Sequence, residues 1–175
     1  MRIAITGAHK VGKTSLINEL REALPDYEFK AEAYYELEEK GFSFSEVPTG
    51  AEYMALLKHS IEQITSSEGN VVFDRCPVDI LAYIQAEDEL DSADLQSWYN
   101  KVKEVMKEID ILVFVPVEKP DLIGCAKSDL PKLRLIVNEI LCDWVRDFNL
   151  NSIEVTGTLS ERKDQVINQI SKIKW

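Results

Sequence analysis

Eight residues near the amino terminus constrain this chain more than any others: Gly7, Ala8, His9, Lys10, Val11, Gly12, Lys13 and Thr14. Their spacing is G-x-x-x-x-G-K-T. The apolar run Arg2 to Thr6 precedes them, and a helical stripe of Leu16, Ile17, Leu20 and Leu24, stopped by Pro25, follows. Buried strand, glycine turn and amphipathic helix in that order bring backbone N–H groups and a helix amino terminus around one small volume. Glycine lets the backbone curl tightly enough to do this. Such a volume suits the phosphates of a nucleoside triphosphate. Residues 7–15, Ser15 included, are the candidate binding segment. Lys13 can bridge the β- and γ-phosphates, and the Thr14 hydroxyl can complete a magnesium shell. The alternative is a chance glycine turn, against which the flanking strand and helix argue. His9 and Lys10 occupy variable positions of the loop, where side chains facing solvent are expected.

The remaining chain alternates in the same way. A second strand is expected over Tyr27 to Ala31, then helices over Tyr34 to Lys40 and Glu52 to Thr65, with the loop Gly41 to Gly50 between them. Asn70 to Asp74 and Asp110 to Val115 are continuous apolar runs of strand length, and Ser152 to Thr156 is a last short strand. Helical periodicity covers Val78 to Ala86, Ala93 to Glu108, Leu130 to Phe148 and Ser160 to Ile173. Strands apolar throughout, separated by helices, require a parallel sheet covered on both faces. The expectation is a single α/β domain over residues 1–175, with ligands beyond the carboxyl ends of its strands.

Composition narrows the partners. Lys and Arg total 20 against 31 Asp and Glu, a net charge of −11, which argues against a nucleic-acid surface. A small anionic ligand remains compatible, because a few amides and one lysine make a local positive hole. Cys76, Cys125 and Cys142 form neither a disulfide framework nor a zinc site and read as reduced, mostly buried thiols. The longest apolar run, Ile111 to Val117, falls far short of the ~20 residues of a membrane helix. With a strand beginning so early there is no room for a signal peptide, so a cytoplasmic protein off the membrane is expected.

Two carboxylates belong to the same strand edge. Asp74, ending the third strand, can hold magnesium with Thr14, and Arg75 beside it can clamp a phosphate or neutralise transferred charge. An ordinary strand-end ion pair is the alternative. Glu32 follows the second strand and can accept or orient the proton of an attacking hydroxyl. Alternatively it is a solvated member of an acidic stretch with Glu28, Glu36, Glu38 and Glu39. Tyr34, Tyr35, Phe42, Phe44, Tyr53 and His59 gather aromatic surface suited to a flat ring. For each alone, burial in the core is the simpler role. Asp79 and Tyr83, one helical turn apart, can both face an acceptor.

On the phosphate loop the sequence resembles the P-loop NTPases. A guanine-nucleotide branch would need Asp-x-x-Gly and Asn-Lys-x-Asp. Asp74 to Pro77 lacks the glycine and Ala126 to Asp129 lacks the asparagine. With Glu32, Asp74-Arg75 and the order Cys76-Pro-Val-Asp79-Ile-Leu-Ala-Tyr83, the chain looks like the nucleoside and nucleotide kinases. Thymidylate kinase carries a comparable Asp-Arg, and a compact AAA-type group related to the ribosylnicotinamide kinases looks closer still. Gly157 to Arg162 fits that group's last strand and loop. The resemblance implies a sheet order of 2-3-1-4-5, ATP and Mg2+ as cofactors, and phosphoryl transfer to a nucleoside, nucleotide or nicotinamide riboside-like acceptor. It implies an acceptor region at about residues 33–68, a lid at about 117–134, and a loop near the adenine where Arg162 either stacks or lies on the helix surface. The lid departs from the pattern. Glu118 to Arg134 holds one arginine, Arg134, with Lys119, Lys127 and Lys132, and lysine lacks the bidentate fork. Catalysis would then rest on Arg75, Lys13 and Lys127, with Lys127 also a nucleotide contact. A nucleotide-binding switch or accessory ATPase or GTPase, acting through a protein partner, is the alternative reading.

Overall fold

Five parallel strands form one sheet in the order β2-β3-β1-β4-β5. They are β1 (Arg2–Thr6), β2 (Glu28–Lys30), β3 (Val71–Asp74), β4 (Ile111–Phe114) and β5 (Ser152–Glu154). The computed structural model describes residues 1–45, 48–121 and 123–173. Residues 46 and 47 of the expected acceptor region, and 122 of the expected lid, lie outside that set. Among the described residues seven α-helices cover the sheet on both faces: α1 (Lys13–Ala23), α2 (Ala33–Glu39), α3 (Gly50–Ser66), α4 (Pro77–Ala86), α5 (Ser92–Val105), α6 (Pro131–Asp147) and α7 (Leu159–Ile173). This is the P-loop kinase fold that the sequence resemblance implied. Helix α1 packs with α7, whereas α4 lies between α3 and α6.

The strand register explains why the middle strands are apolar over their buried centres. Ile3 pairs with Val72 on one side and Ile111 on the other, and Ile5 with Asp74 and Val113. Each of these strands therefore has neighbours on two edges and helices above and below. Ile3, Ile5, Val71, Val72, Ile111, Leu112 and Val113 are fully buried. No described helix is long and apolar enough to cross a membrane.

Helix ends differ from the periodic expectation where a cap sets them. Helix α3 begins at Gly50 rather than Glu52, because Thr49 and Glu52 form a reciprocal capping box. Backbone N–H groups of Thr49 and Ser45 hold the Glu52 carboxyl down at about 2. Helix α4 begins at Pro77, capped through Cys76 and Asp79. Helix α5 stops at Val105, and its last turn tightens into a 3-10 turn at Met106–Glu108. Of the three cysteines only Cys76 is buried; Cys125 and Cys142 are half-buried.

Candidate functional site

The strand order sets the site. β1 is central, and β3 beside it carries Asp74 level with Ile5, so Asp74 and Arg75 end beside the loop that leaves β1. Beyond β3, β2 leads to Glu32, the residue that opens α2. The loop leaves β1 at Gly7, where a side chain would run into the Val115 carbonyl oxygen of the neighbouring strand's end. It enters α1 at Gly12 with φ +90°, a backbone state that costs other residues about 1 kcal/mol or more.

One pocket at this edge is lined by residues 10–15 with Glu32, Asp74, Arg75 and Ile123. Lys13, Thr14, Asp74, Arg75 and Glu32 are thus brought together. The buried Lys13 ammonium donates to the carbonyls of Gly7 at 2.8 Å and Ala8 at 2.5 Å. Burial, and then the nearby Arg75 charge, lower its pKa to about 7. Burial, reinforced by Glu32, raises Asp74 to about 6. Arg75 itself takes φ +67°, a left-handed conformation that costs a non-glycine residue ~1–3 kcal/mol and recurs at functional sites. Its Nε lies 2.7 Å from Glu32, its Nη1 donates to the Gly7 carbonyl at 3.3 Å, and the guanidinium faces the Tyr83 ring. Burial opposes its charge, but Glu32, Tyr83 and Asp79 outweigh that and raise its pKa.

A second, more apolar cavity shares Glu32 and Arg75 with the first and is walled by Tyr34, Pro48, Tyr53, Leu56, Asp79, Ile80 and Tyr83. Tyr53 and Tyr83 stand nearly parallel, 6.4 Å apart. Tyr34 stacks on Phe44, whereas Tyr35 and Phe42 are exposed. His59 is buried between helices, 2.9 Å from Glu36, which is a structural role. Asp79 is fully buried and lines this cavity, yet its main bonds are internal: it accepts from the N–H of Gly7 at 2.9 Å and of Cys76 at 3.1 Å. It ties the start of the loop to the start of α4.

Three expectations need correction. His9 does not simply face solvent: its imidazole sits 2.7 Å from the Tyr83 hydroxyl and 2.6 Å from the Asp129 carbonyl. A carbonyl only accepts, so Nε2 carries the proton and Nδ1 accepts from Tyr83. Burial, against the Asp129 carbonyl and with Arg75, Lys13 and Arg134 nearby, lowers its pKa. Lys127 is exposed and lines a separate hollow with Glu87, Leu130 and Lys132, not the loop pocket. Arg162 is not a helix-surface residue: it is buried, donates to the Val11 and Gly157 carbonyls, and lines a hollow with Gly12, Ser15 and Thr158. Lys10 does stay largely in solvent. Glu118, Asp121 and Ile123, which approach the loop from the 117–134 segment, carried no sequence signal at all.

Residues 2–162 match a family model described as AAA domain. No curated protein matches the chain. Among solved structures, a deoxyadenosine kinase from M. mycoides with bound dATP superposes with a TM-score of 0.67 at 16% identity, covering 98% of this chain and 100% of that one. A NadR protein in complex with NR gives 0.69 at 17% identity over 98% of this chain, which spans 50% of that one. Thymidylate kinase from Candida albicans gives 0.65 at 16% identity, with 99% and 92% covered. These likenesses are of fold.

Proposed function

The chain belongs to the AAA-domain family, and from that premise we propose that it is an ATP-dependent kinase of a nucleoside, nucleotide or similar small metabolite. One observation carries the reading: Glu32 and Arg75 line both the phosphate-loop pocket and the aromatic cavity beside it. An acceptor in the cavity would present its oxygen to a γ-phosphate in the loop across those two side chains. In this reading residues 33–68 wall the acceptor and 117–134 cover the loop.

Lys13 and the loop amides hold the triphosphate. Glu32 orients or deprotonates the acceptor hydroxyl, and Arg75 stabilises the charge on the transferring group. Tyr53 and Tyr83 offer parallel faces to a planar ring. Thr14 and Asp74 supply hard oxygen donors in one pocket, which fits a magnesium ion that keeps most of its ligands as water and phosphate. That ion, when bound, neutralises developing phosphate charge. Catalysis of this kind is positioning and electrostatics.

The test is ADP release from Mg-ATP over a panel of nucleosides, nucleoside monophosphates and nicotinamide riboside. Stimulation by one acceptor, lost in Lys13→Ala and Asp74→Asn, is expected. A flat panel with ATP still bound overturns the kinase. It would favour a nucleotide-binding switch, a reading that Arg134's engagement with loop backbone also supports.

A pH effect accompanies binding. Above pH 7 an empty loop holds Lys13 largely neutral, and triphosphate charge beside it draws the proton back. ATP binding at about pH 8 is therefore expected to take up protons. Calorimetric enthalpies in phosphate and Tris buffers should differ accordingly for the wild type and agree for Lys13→Ala.

A further inference from the structure

In a loop whose N–H groups converge on a ligand, the carbonyls of the same peptides point outward, where water usually meets them. Here they meet arginine. Arg134, from the first turn of α6, donates from Nε to the His9 carbonyl at 3.0 Å and from Nη2 to the Lys10 carbonyl at 2.9 Å. Arg162, from the first turn of α7, donates from Nη1 to the Val11 carbonyl at 2.7 Å. Both side chains are almost wholly buried, at 3% and 6% exposure. Each is held in turn by a carboxylate from the 117–134 segment. Asp121 takes two bonds from Arg134, at 2.5 and 3.2 Å, and Glu118 lies 3.2 Å from Arg162.

Three consecutive carbonyls are thus gripped from behind. They belong to the peptides whose N–H groups are those of Lys10, Val11 and Gly12, and among the described residues none of these three donates a hydrogen bond. Lys10 and Gly12 both take positive φ. An unbraced loop of this kind would relax toward ordinary backbone, and its N–H groups would turn away from one another. A guanidinium on a carbonyl also polarises the peptide, so its N–H side becomes a stronger donor.

We propose that Arg134 and Arg162 are positioning residues for the phosphate loop, holding the N–H groups of Lys10, Val11 and Gly12 toward a bound triphosphate. The proposal rests on the reading of the loop as a triphosphate site. It gives the lid segment's one arginine a task behind the loop instead of at the transferring group. Loop shape then depends on Asp121 and Glu118, which hold the two arginines.

Binding of Mg-ATP and of inorganic tripolyphosphate, which has no base to contact, tests this by calorimetry on wild type, Arg134→Lys and Asp121→Asn. Both variants are expected to weaken both ligands by about ten- to a hundredfold, the worth of one or two charge-assisted bonds. One ammonium cannot span two carbonyls and Asp121 together, so lysine does not rescue. Asp121 is exposed, so its asparagine variant keeps the fold even where an arginine variant does not. In the free proteins the amide resonances of Lys10 and Val11 should shift more than that of Gly12, which a merely structural role would not produce. Tighter binding in Asp121→Asn would mean that Arg134 swings to the phosphates, and overturns the proposal. Unchanged binding in both variants overturns it as well. A wild type that binds neither ligand overturns the triphosphate site and this proposal together.

Discussion

Under the proposed kinase reading, replacing Arg75 with methionine is expected to slow phosphoryl transfer to the acceptor by about a thousandfold or more, the worth of an arginine that meets transferring charge. The side chain is held by Glu32 on one side, Asp79 at 3.6 Å on another and the Gly7 carbonyl, so it is pre-aimed before any ligand arrives. Its strained backbone marks the same commitment. ATP affinity should fall much less than the rate, because the loop amides and Lys13 are left in place. Arg75→Lys should recover little, since one ammonium cannot serve Glu32 and the loop carbonyl with a planar fork. Single-turnover rates beside calorimetric ATP affinities make the comparison. A rate within tenfold of wild type would remove Arg75 from the chemistry.

The largest effect on stability is expected at Asp79. Its carboxylate is fully buried and serves the N–H groups of Gly7 and Cys76, the Cys76 thiol and the charge of Arg75. Asp79→Ala leaves those donors unpaired, at a cost of about 3 kcal/mol, with Arg75 left short of a counter-charge. For a chain of this size that lowers the melting temperature by about 6–12 °C. Asp79→Asn keeps one acceptor oxygen and should fall between. Because Asp79 also anchors Gly7, the alanine variant should lose ATP binding at temperatures where it is still folded. Thermal unfolding followed by circular dichroism, with ATP binding well below the midpoint, checks both. A melting temperature unchanged in Asp79→Ala would show that the loop's start is held by β1 alone.

The α/β class, the strands and the phosphate loop were legible because each is a local pattern. A strand with neighbours on both edges and helices on both faces must be apolar along its buried stretch, and Ile3 to Ile5, Val71 to Phe73 and β4 are. The helix starts were less legible, since periodicity reports the buried face and not the cap. Thr49 and Glu52 show this, for the T-x-x-E spacing places the start of α3 two residues earlier than the apolar stripe does. Lys13, Thr14, Glu32, Asp74 and Arg75 do share one pocket, as their places in the loop and beyond the strand ends implied.

The second layer of the site was not legible. Arg134 lies 124 residues from Lys10, and Arg162 lies 151 from Val11. Both grip main-chain carbonyls, which every residue possesses, so no residue type in the loop announces an arginine partner. His9 is similar: its ring meets a hydroxyl 74 residues away and a carbonyl 120 away. The sequence by itself therefore determined the strands, the loop and which side chains reach the carboxyl edge, because backbone periodicity and glycine placement are local physics. Only the tertiary structure decided which arginine lines the loop pocket and which ones lie on the loop's carbonyls. That choice depends on where α6 and α7 pack against β1's loop, and on which buried carbonyls would otherwise lack a donor.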